Sequence, residues 1–453
     1  MFAKFLQIAL LGLLAGFVAT PAASRGKIFP FPYSVDVLDN GLKVVTVPLS
    51  YPNAVSVQIV VRAGSRNEVE PGKTGFAHFF EHMMFRGTDR FPSEAYDAFM
   101  KSIGAESNAY TTDDYTCYHT LFVKDDLEKV LDIEADRFQH LKYAESAFRT
   151  EAKAVLGEYN KNSANPINKL LEKIQDTAFD VHTYKHTTMG FIQDIEAMPD
   201  QFDYSLKFFD RFYRPENTVM IVAGDVNRKD VLPMVKKYWG GWKHGDFKQE
   251  IPKEPPQKAP RTAHLDWPTP TLPWVVVAYK GPAYSDTAKD MPTMDIIAAI
   301  DFSQSSPLYQ KLVIQEQKVD AFGPYFPNQR DPDLVGVYAR VKDPADMDYV
   351  EKQIIAAFDE AKKTPPTAER LADVKSNLKY SFALGMDNTE SIAGTLASFL
   401  ELDPDPETIN RLYDTYDSIT PDDVTAMAKK YFDQNRRTVA TLTYKPSDEK
   451  GGE

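Results

Sequence analysis

Hydrophobic residues at the start of the chain follow the two-residue period of β-strands. Two apolar runs, 35–38 and 42–47, flank Asn40-Gly41, a dipeptide typical of the two-residue turn of a hairpin. Apolar residues then alternate with other residues from 55 to 61. This alternation predicts a third strand with one face buried.

The same type of pattern continues along the chain and mixes strands with helices. Strands are predicted at 116–123, 219–223, 274–279 and 334–341, and helices at 93–104, 145–163 and 291–300. Residues 246–262 interrupt this pattern, because they are polar and contain four prolines. Such a composition is typical of an extended linker between domains.

A faint repeat relates the parts of the chain on either side of this linker. Phe212 and Thr218-Val219 have counterparts in Phe432 and Thr438-Val439 at a constant offset of 220 residues, each time where a helix ends and a strand begins. Two halves of about 200 residues that both mix strands and helices predict a duplicated α+β fold, with two similar mixed sandwich domains. We place these domains at 25–245 and 263–453.

The composition is that of a globular, acidic protein. Of the 453 residues, 43% are hydrophobic and 26% are charged, and the net charge is −13 at pH 7. Nothing basic points to nucleic acid as a partner. The single cysteine, Cys117, excludes an intrachain disulfide and a cysteine cluster for metal. We expect it to be a small buried residue of a strand.

The first 24 residues have the composition of an export signal. Lys4 supplies a positive charge, 6–19 is apolar, and 20–24 offers the small residues of a cleavage site. The apolar run is too short for a comfortable bilayer span, and an uncleaved membrane anchor is the alternative. The signal indicates a bacterial periplasmic protein whose mature chain has no membrane span.

Residues 75–88, GFAHFFEHMMFRGT, hold the strongest chemical signal. His78 and His82 are four residues apart, so a helix places both imidazoles on one face, and Glu81 projects to nearly the same side. Neutral imidazole is a good zinc ligand, and a carboxylate beside a zinc-bound water can take its proton. The order H-x-x-E-H is the inverzincin peptidase motif. The alternative is a helix with two exposed histidines and a solvated glutamate.

The residues around the motif favour a metal. Phenylalanine and methionine side chains make the helix apolar almost all round, which predicts a position inside a domain. Two imidazoles and a carboxylate buried there need partners, and a metal would supply one. The helix at 145–163 carries Glu151 and Glu158 on one face, about 10.5 Å apart along its axis. One zinc ion takes only one of them, and spacing alone leaves the choice open.

With these motifs the sequence resembles the pitrilysin family of zinc peptidases, which includes insulin-degrading enzyme and the mitochondrial processing peptidase. The third ligand of that family follows the motif by 76 residues, which corresponds to Glu158, and another glutamate seven residues earlier corresponds to Glu151. The resemblance covers nearly all of the mature chain. It implies one Zn²⁺ per chain held by His78, His82 and Glu158. It also implies that Glu81 is the catalytic base, that Glu151 is a supporting carboxylate of the catalytic site, and that the second half is inactive.

The resemblance also implies residues that bind substrate. Asn108 and Ala109 match a family segment at a sheet edge beside the zinc, to which a peptide adds as an extra strand; an ordinary strand start is the alternative. Arg330 and Tyr338 are the nearest matches to a family arginine and tyrosine that steady the substrate carbonyl. The tyrosine stands one position out of register, which on a strand turns it to the opposite face. Another chain is therefore an alternative source of this pair. The other alternative is an exposed arginine and a sheet tyrosine that do not bind substrate.

His182 and His186 are also four residues apart, but no acidic residue lies between them, and the neighbouring threonines favour a loop. The segment is similar to a family loop near the active site. We expect a structural or substrate-side role here in preference to a second metal.

Together these features predict an exported zinc endopeptidase that hydrolyses peptides or unfolded segments. The family encloses substrate between two halves of two domains each, and this chain supplies two domains. We therefore expect a chamber formed with a homologous subunit, with a heterodimer favoured over a homodimer. The competing interpretation is a non-catalytic scaffold or partner subunit, which has no reason to keep the motif and both glutamates.

The export signal gives a first testable prediction. The mature protein should start after about residue 24 and should be recovered from the periplasm, because the small residues there suit signal cleavage. Mass spectrometry of the N-terminus of the native protein measures this. An intact Met1 in a membrane fraction would support the anchor instead.

Overall fold

The structure is a computed structural model that describes residues 26–446, and the predicted export signal lies outside this range. Two mixed β-sheets, one in each half of the chain, are surrounded by helices. No helix within 26–446 combines the length and the hydrophobicity that crossing a bilayer requires.

Six strands form the sheet of the first half, in the order β1-β2-β6-β3-β5-β4. They are β1 Ser34–Val37, β2 Lys43–Pro48, β3 Ala54–Val61, β4 Glu106–Thr111, β5 Thr116–Val123 and β6 Thr218–Gly224. β2 and β6 are parallel, and the other neighbours are antiparallel. Within the described residues β4 pairs only with β5, so it is an edge strand.

Five strands form the second sheet, in the order β7-β11-β8-β10-β9. They are β7 Arg261–Trp267, β8 Trp274–Lys280, β9 Val319–Tyr325, β10 Leu334–Val341 and β11 Arg437–Tyr444. Only β7 and β11 are parallel among these neighbours. This sheet repeats the order and directions of β2-β6-β3-β5-β4, so the predicted duplication of an α+β unit is confirmed. β4 and β9 are the equivalent edges.

The described part of the first half has eight α-helices. They are α1 Phe76–Met83, α2 Ser93–Ser102, α3 Leu127–His140, α4 Glu145–Ser163, α5 Pro166–Ala178, α6 Ile192–Ala197, α7 Phe202–Phe212 and α8 Arg228–Trp239. Seven more are described in the second half. They are α9 Asp290–Ile297, α10 Pro307–Tyr309, α11 Met347–Ala361, α12 Ala368–Leu384, α13 Thr389–Leu400, α14 Thr408–Ser418 and α15 Pro421–Tyr431.

Each half contributes a helix to the sheet of the other half. α5 packs on β7 and β11, and α13 packs on β3 and β6. Both sheets are therefore covered on two faces. The prediction that β3 has only one buried face is wrong, because seven of its eight residues are buried. α13 covers the face that would otherwise meet water.

The segment between α8 and β7 contains no helix or strand, as expected for a linker, although Arg261 and Thr262 already belong to β7. Glu254 fixes this segment to the first half. Its carboxylate accepts hydrogen bonds from the backbone N–H groups of Asp180 at 2.8 Å, Val181 at 3.0 Å and His182 at 3.1 Å. The domain limits 25–245 and 263–453 remain a prediction.

Candidate active site

Helix α1 carries the predicted motif and lies in the core of the first half. Phe76, Phe79 and Phe80 are fully buried there, so the apolar sides of the helix are held by packing. His78 is 6% exposed, while Glu81 and His82 are half-buried. The motif therefore lies at the border between the core and solvent, on the side of α1 that meets α4 and β4.

A buried carboxylate fixes the start of α1. Gly75 precedes the helix with a φ of 88°, a left-handed conformation that favours glycine. Glu68, which is 3% exposed, accepts hydrogen bonds from the N–H groups of Gly75 and Ala77, both at 2.7 Å. Burial raises the pKa of Glu68 to about 8, against the opposing effect of these amides. Sequence reasoning missed Glu68, because its partners are backbone groups that no side-chain motif records.

The side chains of His78, His82 and Glu158 converge where the core of the first half meets solvent. The Nε2 atoms of His78 and His82 lie 3.6 Å and 3.3 Å from Oε2 of Glu158. All three candidate ligand atoms lie within 4.8 Å of one another. Ligands of a tetrahedral zinc ion are about 3.4 Å apart. The three residues therefore fit one zinc ion.

The structure separates the two glutamates of α4 that spacing left open. Glu151 Oε1 lies 2.9 Å from Nδ1 of His82, on the far side of the ring from Glu158. Its other oxygen accepts a hydrogen bond from Nε of Arg86 at 2.5 Å. A carboxylate on the second ring nitrogen is the usual partner that orients a metal-binding histidine. Sequence reasoning missed Arg86, although it stands within the motif segment 75–88.

The charges around the two histidines differ. Burial lowers the pKa of His78, which favours the neutral ring that a metal requires. The hydrogen bond with Glu151 is the largest influence on His82 and raises its pKa. Burial opposes ionisation of Glu151, but the hydrogen bonds with His82 and Arg86 still lower its pKa. Nδ1 of His78 is buried without a hydrogen-bond partner in the described structure.

Glu81 faces the edge strand β4. Its Oε2 accepts a hydrogen bond from Oγ1 of Thr111 at 2.7 Å. On the same strand Asn108 is exposed and Ala109 is 8% exposed, and Oδ1 of Asn108 accepts the Ala109 N–H at 2.9 Å. The predicted substrate strand therefore lies next to the motif, and its outer edge has no strand partner among residues 26–446.

Arg330 and Tyr338 have other partners in the described structure than the candidate ligands. The backbone N–H of Arg330 donates to Oδ2 of Asp114 at 2.8 Å. Tyr338 belongs to β10 and packs near Trp274, with ring centroids 6.4 Å apart. In the described part of the chain, no hydrogen bond or ion pair joins either residue to the candidate ligands. Their contact with substrate stays a prediction.

His182 and His186 have separate surroundings. Nε2 of His182 lies 3.1 Å from Oδ2 of Asp331, and its Nδ1 accepts the N–H of Tyr184 at 3.1 Å, so this ring joins the two halves. Nδ1 of His186 donates to the carbonyl of Thr187 at 3.0 Å, and burial lowers the pKa of His186 to about 4. Residues 26–446 place no set of three possible metal ligands around either ring. His182 thus makes structural contacts between the two halves, and a role of this segment toward substrate stays a prediction.

Family comparisons agree with this geometry. Residues 43–191 match the model described as Insulinase (Peptidase family M16), and residues 202–378 match the Peptidase M16 inactive domain. The chain belongs to peptidase family M16. The resemblance to the pitrilysin and mitochondrial processing peptidase family is therefore confirmed, and the inactive-domain match covers much of the half that lacks the motif.

Relatives within M16 support a peptidase-like function. The chain is 29% identical over 445 residues to Zinc protease PqqE of Helicobacter pylori, covering 96% of this chain and 98% of that protein. It also matches the crystal structure of a protease from Helicobacter pylori with a TM-score of 0.85 and 29% identity, covering 91% and 99% of the two chains. Another relative is named as a subunit of a complex and not as a protease. Cytochrome b-c1 complex subunit 1 of Rattus norvegicus is 28% identical over 256 residues, covering 56% of this chain and 52% of that protein.

The geometry of α4 predicts that its two glutamates contribute unequally to metal binding. Glu151→Gln should lower zinc affinity by about 10- to 100-fold, because Glu151 acts only by orienting His82. Glu158→Gln removes a ligand and should lower zinc affinity more. Competition titration with a chelator measures both variants. Glu145→Gln, on the exposed start of the same helix, is the control. Equal losses for Glu158 and Glu151 would contradict this assignment.

Proposed function

We propose that this chain is a zinc-dependent endopeptidase that cleaves peptides or unfolded segments after export to the periplasm. The observation that carries the proposal is the meeting of His78, His82 and Glu158 next to Glu81. Two imidazoles, one carboxylate ligand and a second carboxylate at the edge of the site are the parts of a hydrolytic zinc centre.

His78, His82 and Glu158 would hold one Zn²⁺ per chain. A bound zinc ion supplies Lewis acidity and lowers the pKa of the attacking water. His82 can serve as a ligand only when Nε2 carries no proton. Of the two neutral tautomers Glu151 favours the required one, because it accepts a hydrogen bond from Nδ1–H and leaves Nε2 directed at Glu158.

Glu81 would be the general base. The hydrogen bond from Thr111 occupies Oε2 and limits the rotation of the carboxylate. Its other oxygen would take a proton from the attacking water, and the same group would deliver that proton to the leaving amine. Since the motif helix and β4 both hold this carboxylate, little reorganisation is needed during the reaction.

A substrate would bind as an additional strand along β4. The outer edge of this strand has no partner among the described residues, and the Ala109 N–H is held only by the side chain of its neighbour, Asn108. An extended peptide can replace that side chain and continue the sheet. A segment that is not already paired within a folded domain can adopt this conformation, so peptides and unfolded segments are the proposed substrate class.

A homologous second subunit would cover the site. The side chains of His82 and Glu158 are 25% and 38% exposed, and the edge at Asn108 faces solvent. Exclusion of water strengthens the electrostatic interactions on which hydrolysis depends. Among residues 26–446, Arg330 and Tyr338 make no hydrogen bond or ion pair with the candidate ligands of their own chain, and in a homodimer they would serve the other site. We favour a heterodimer whose partner supplies this pair.

The role of Glu81 predicts a loss of activity without a loss of metal. Glu81→Gln should retain zinc and lower peptidase activity by at least about 100-fold, because it removes the base and leaves the three ligands. Turnover of a quenched peptide library and metal analysis of the same sample test this. More than a tenth of wild-type turnover would exclude Glu81 as the base. Zinc-loaded wild-type protein that cleaves no peptide would favour the scaffold.

The exposure of the site predicts that the working enzyme is a dimer. The chain purified alone should show lower activity than the chain mixed with its partner, or should sediment as a homodimer, because a monomer leaves the site open to water. Analytical ultracentrifugation and peptidase assays at the same protein concentration test this. Full activity from a strict monomer would contradict the proposal.

A further inference from the structure

A cavity of about 560 Å³ lies between α5 and the second sheet, outside the candidate metal site. Most of its wall is apolar. The larger apolar residues of the wall are Ile167, Leu171, Ile174, Trp274, Val276 and Leu334. Concave, mainly apolar cavities with a few fixed polar groups are the usual form of a ligand site.

The buried polar atoms of this wall that lack partners are all acceptors. Asp333 is 3% exposed, and both of its carboxylate oxygens are buried without a hydrogen-bond partner among the described residues. Oε1 of Gln175 is in the same state. The nearby Asp113 differs, because its oxygens accept hydrogen bonds from Ser65 at 2.8 Å and Gln329 at 2.9 Å. The cavity therefore suits a ligand that donates hydrogen bonds, once these buried acceptors turn toward it.

Asp333 also lacks a paired positive charge in the described structure. Burial, followed by the neighbouring Asp113, raises the pKa of Asp333 to about 8. The backbone N–H of Leu334 and the positive charge of Lys280 act in the opposite direction, but the Nζ of Lys280 lies 3.0 Å from the centre of the Phe179 ring and 3.4 Å from Glu254. A buried carboxylate without a counter-charge is costly. A bound cation would supply that charge and keep the group ionised at neutral pH.

We propose that this cavity, lined by α5, β8, β9 and β10, is a subsite for a basic side chain of the substrate. The aliphatic stem of a lysine or arginine would lie along the apolar wall, and its cationic end would pair with Asp333. The inference rests on the proposed peptidase function and narrows its substrate class to peptides with a basic residue.

The path of the chain connects this cavity to the candidate active site. Thr111, which holds Glu81, is followed two residues later by Asp113 of the cavity wall, and two residues span at most about 7 Å. On the opposite side Asn162, one turn after Glu158, contacts Met189 at 3.8 Å, next to Thr188 of the cavity wall. A peptide extended along β4 can therefore reach the cavity within a few residues of the scissile bond.

Paired peptides test this subsite without the need for turnover. The probe is a series of extended peptides in pairs. One peptide of each pair has an arginine at a given position, the other has its neutral and nearly isosteric analogue citrulline there, and the series covers every position. Binding is measured by calorimetry to the zinc-loaded Glu81→Gln protein. At one position or more the arginine peptide should bind about tenfold more tightly or better, as expected for a hydrogen-bonded charge pair. Lysine and norleucine form a second pair.

Variants identify the group responsible. In the same background, Asp333→Asn should make the affinities for the arginine and citrulline peptides nearly equal. Asp320→Asn, which removes a carboxylate on β9 that pairs with Arg340, should leave the ratio of the two affinities unchanged. Ala321→Phe places a larger side chain in the cavity wall and fills part of the cavity, so it should also remove the preference for the arginine peptide. This variant provides the test if Asp333→Asn does not fold. Thermal unfolding verifies that the compared variants are folded.

The outcomes separate this subsite from the proposed peptidase activity. Equal binding of arginine and citrulline peptides at every position would overturn the subsite, even when the wild-type protein cleaves both. Weaker binding of both peptides to Asp333→Asn, with the ratio kept, would assign Asp333 to structure and also overturn it. A preference for arginine that Asp333→Asn abolishes, in a wild-type protein that cleaves nothing, would support the subsite and contradict the peptidase.

Discussion

The hydrogen bond between Glu151 and His82 connects the two helices on which the candidate site depends. These residues are 69 positions apart in the chain, and the bond of 2.9 Å sets how α4 lies against α1. Glu158 follows Glu151 by about two helical turns, so this contact also determines where Glu158 meets the imidazoles. Arg86 pairs with the second oxygen of Glu151, which helps to offset the cost of burying that carboxylate.

Similar compensation occurs at the other end of α1. Glu68 is buried, but two backbone amides occupy its oxygens and define the first turn of the helix. Apolar packing alone would allow a short helix to slide or rotate, because hydrophobic contacts have little directional preference. The hydrogen bonds of the buried carboxylates Glu68 and Glu151 are directional, and they fix the position and rotation of the helix that a metal site requires.

Much of this site could be predicted from local patterns. The spacing of His78, Glu81 and His82 fixes their common face on any helix, and α4 extends over the expected residues, 145–163. The polar pattern of β3 was misleading, since Ser56 and Gln58 suggested a face in water. Both are buried beneath α13, where Gln58 donates to Ser56 at 3.1 Å. A helix from the distant half of the chain covers them, and periodicity within one strand cannot record such a partner.

The duplicated fold shows what the motif demands of the first half. α9 follows β8 as α1 follows β3, so the two helices are equivalent in the two units. In α9, Met291, Met294 and Ile297 are buried, and the helix contains no histidine. A helix without histidine at this place in the fold is thus compatible with stability. The two imidazoles and the carboxylate of α1 add a cost, because each needs a partner that apolar packing does not supply. The first half keeps these polar groups at the place where its candidate ligands converge. A scaffold needs only the sheets and their packing, so this arrangement favours a metal-dependent peptidase.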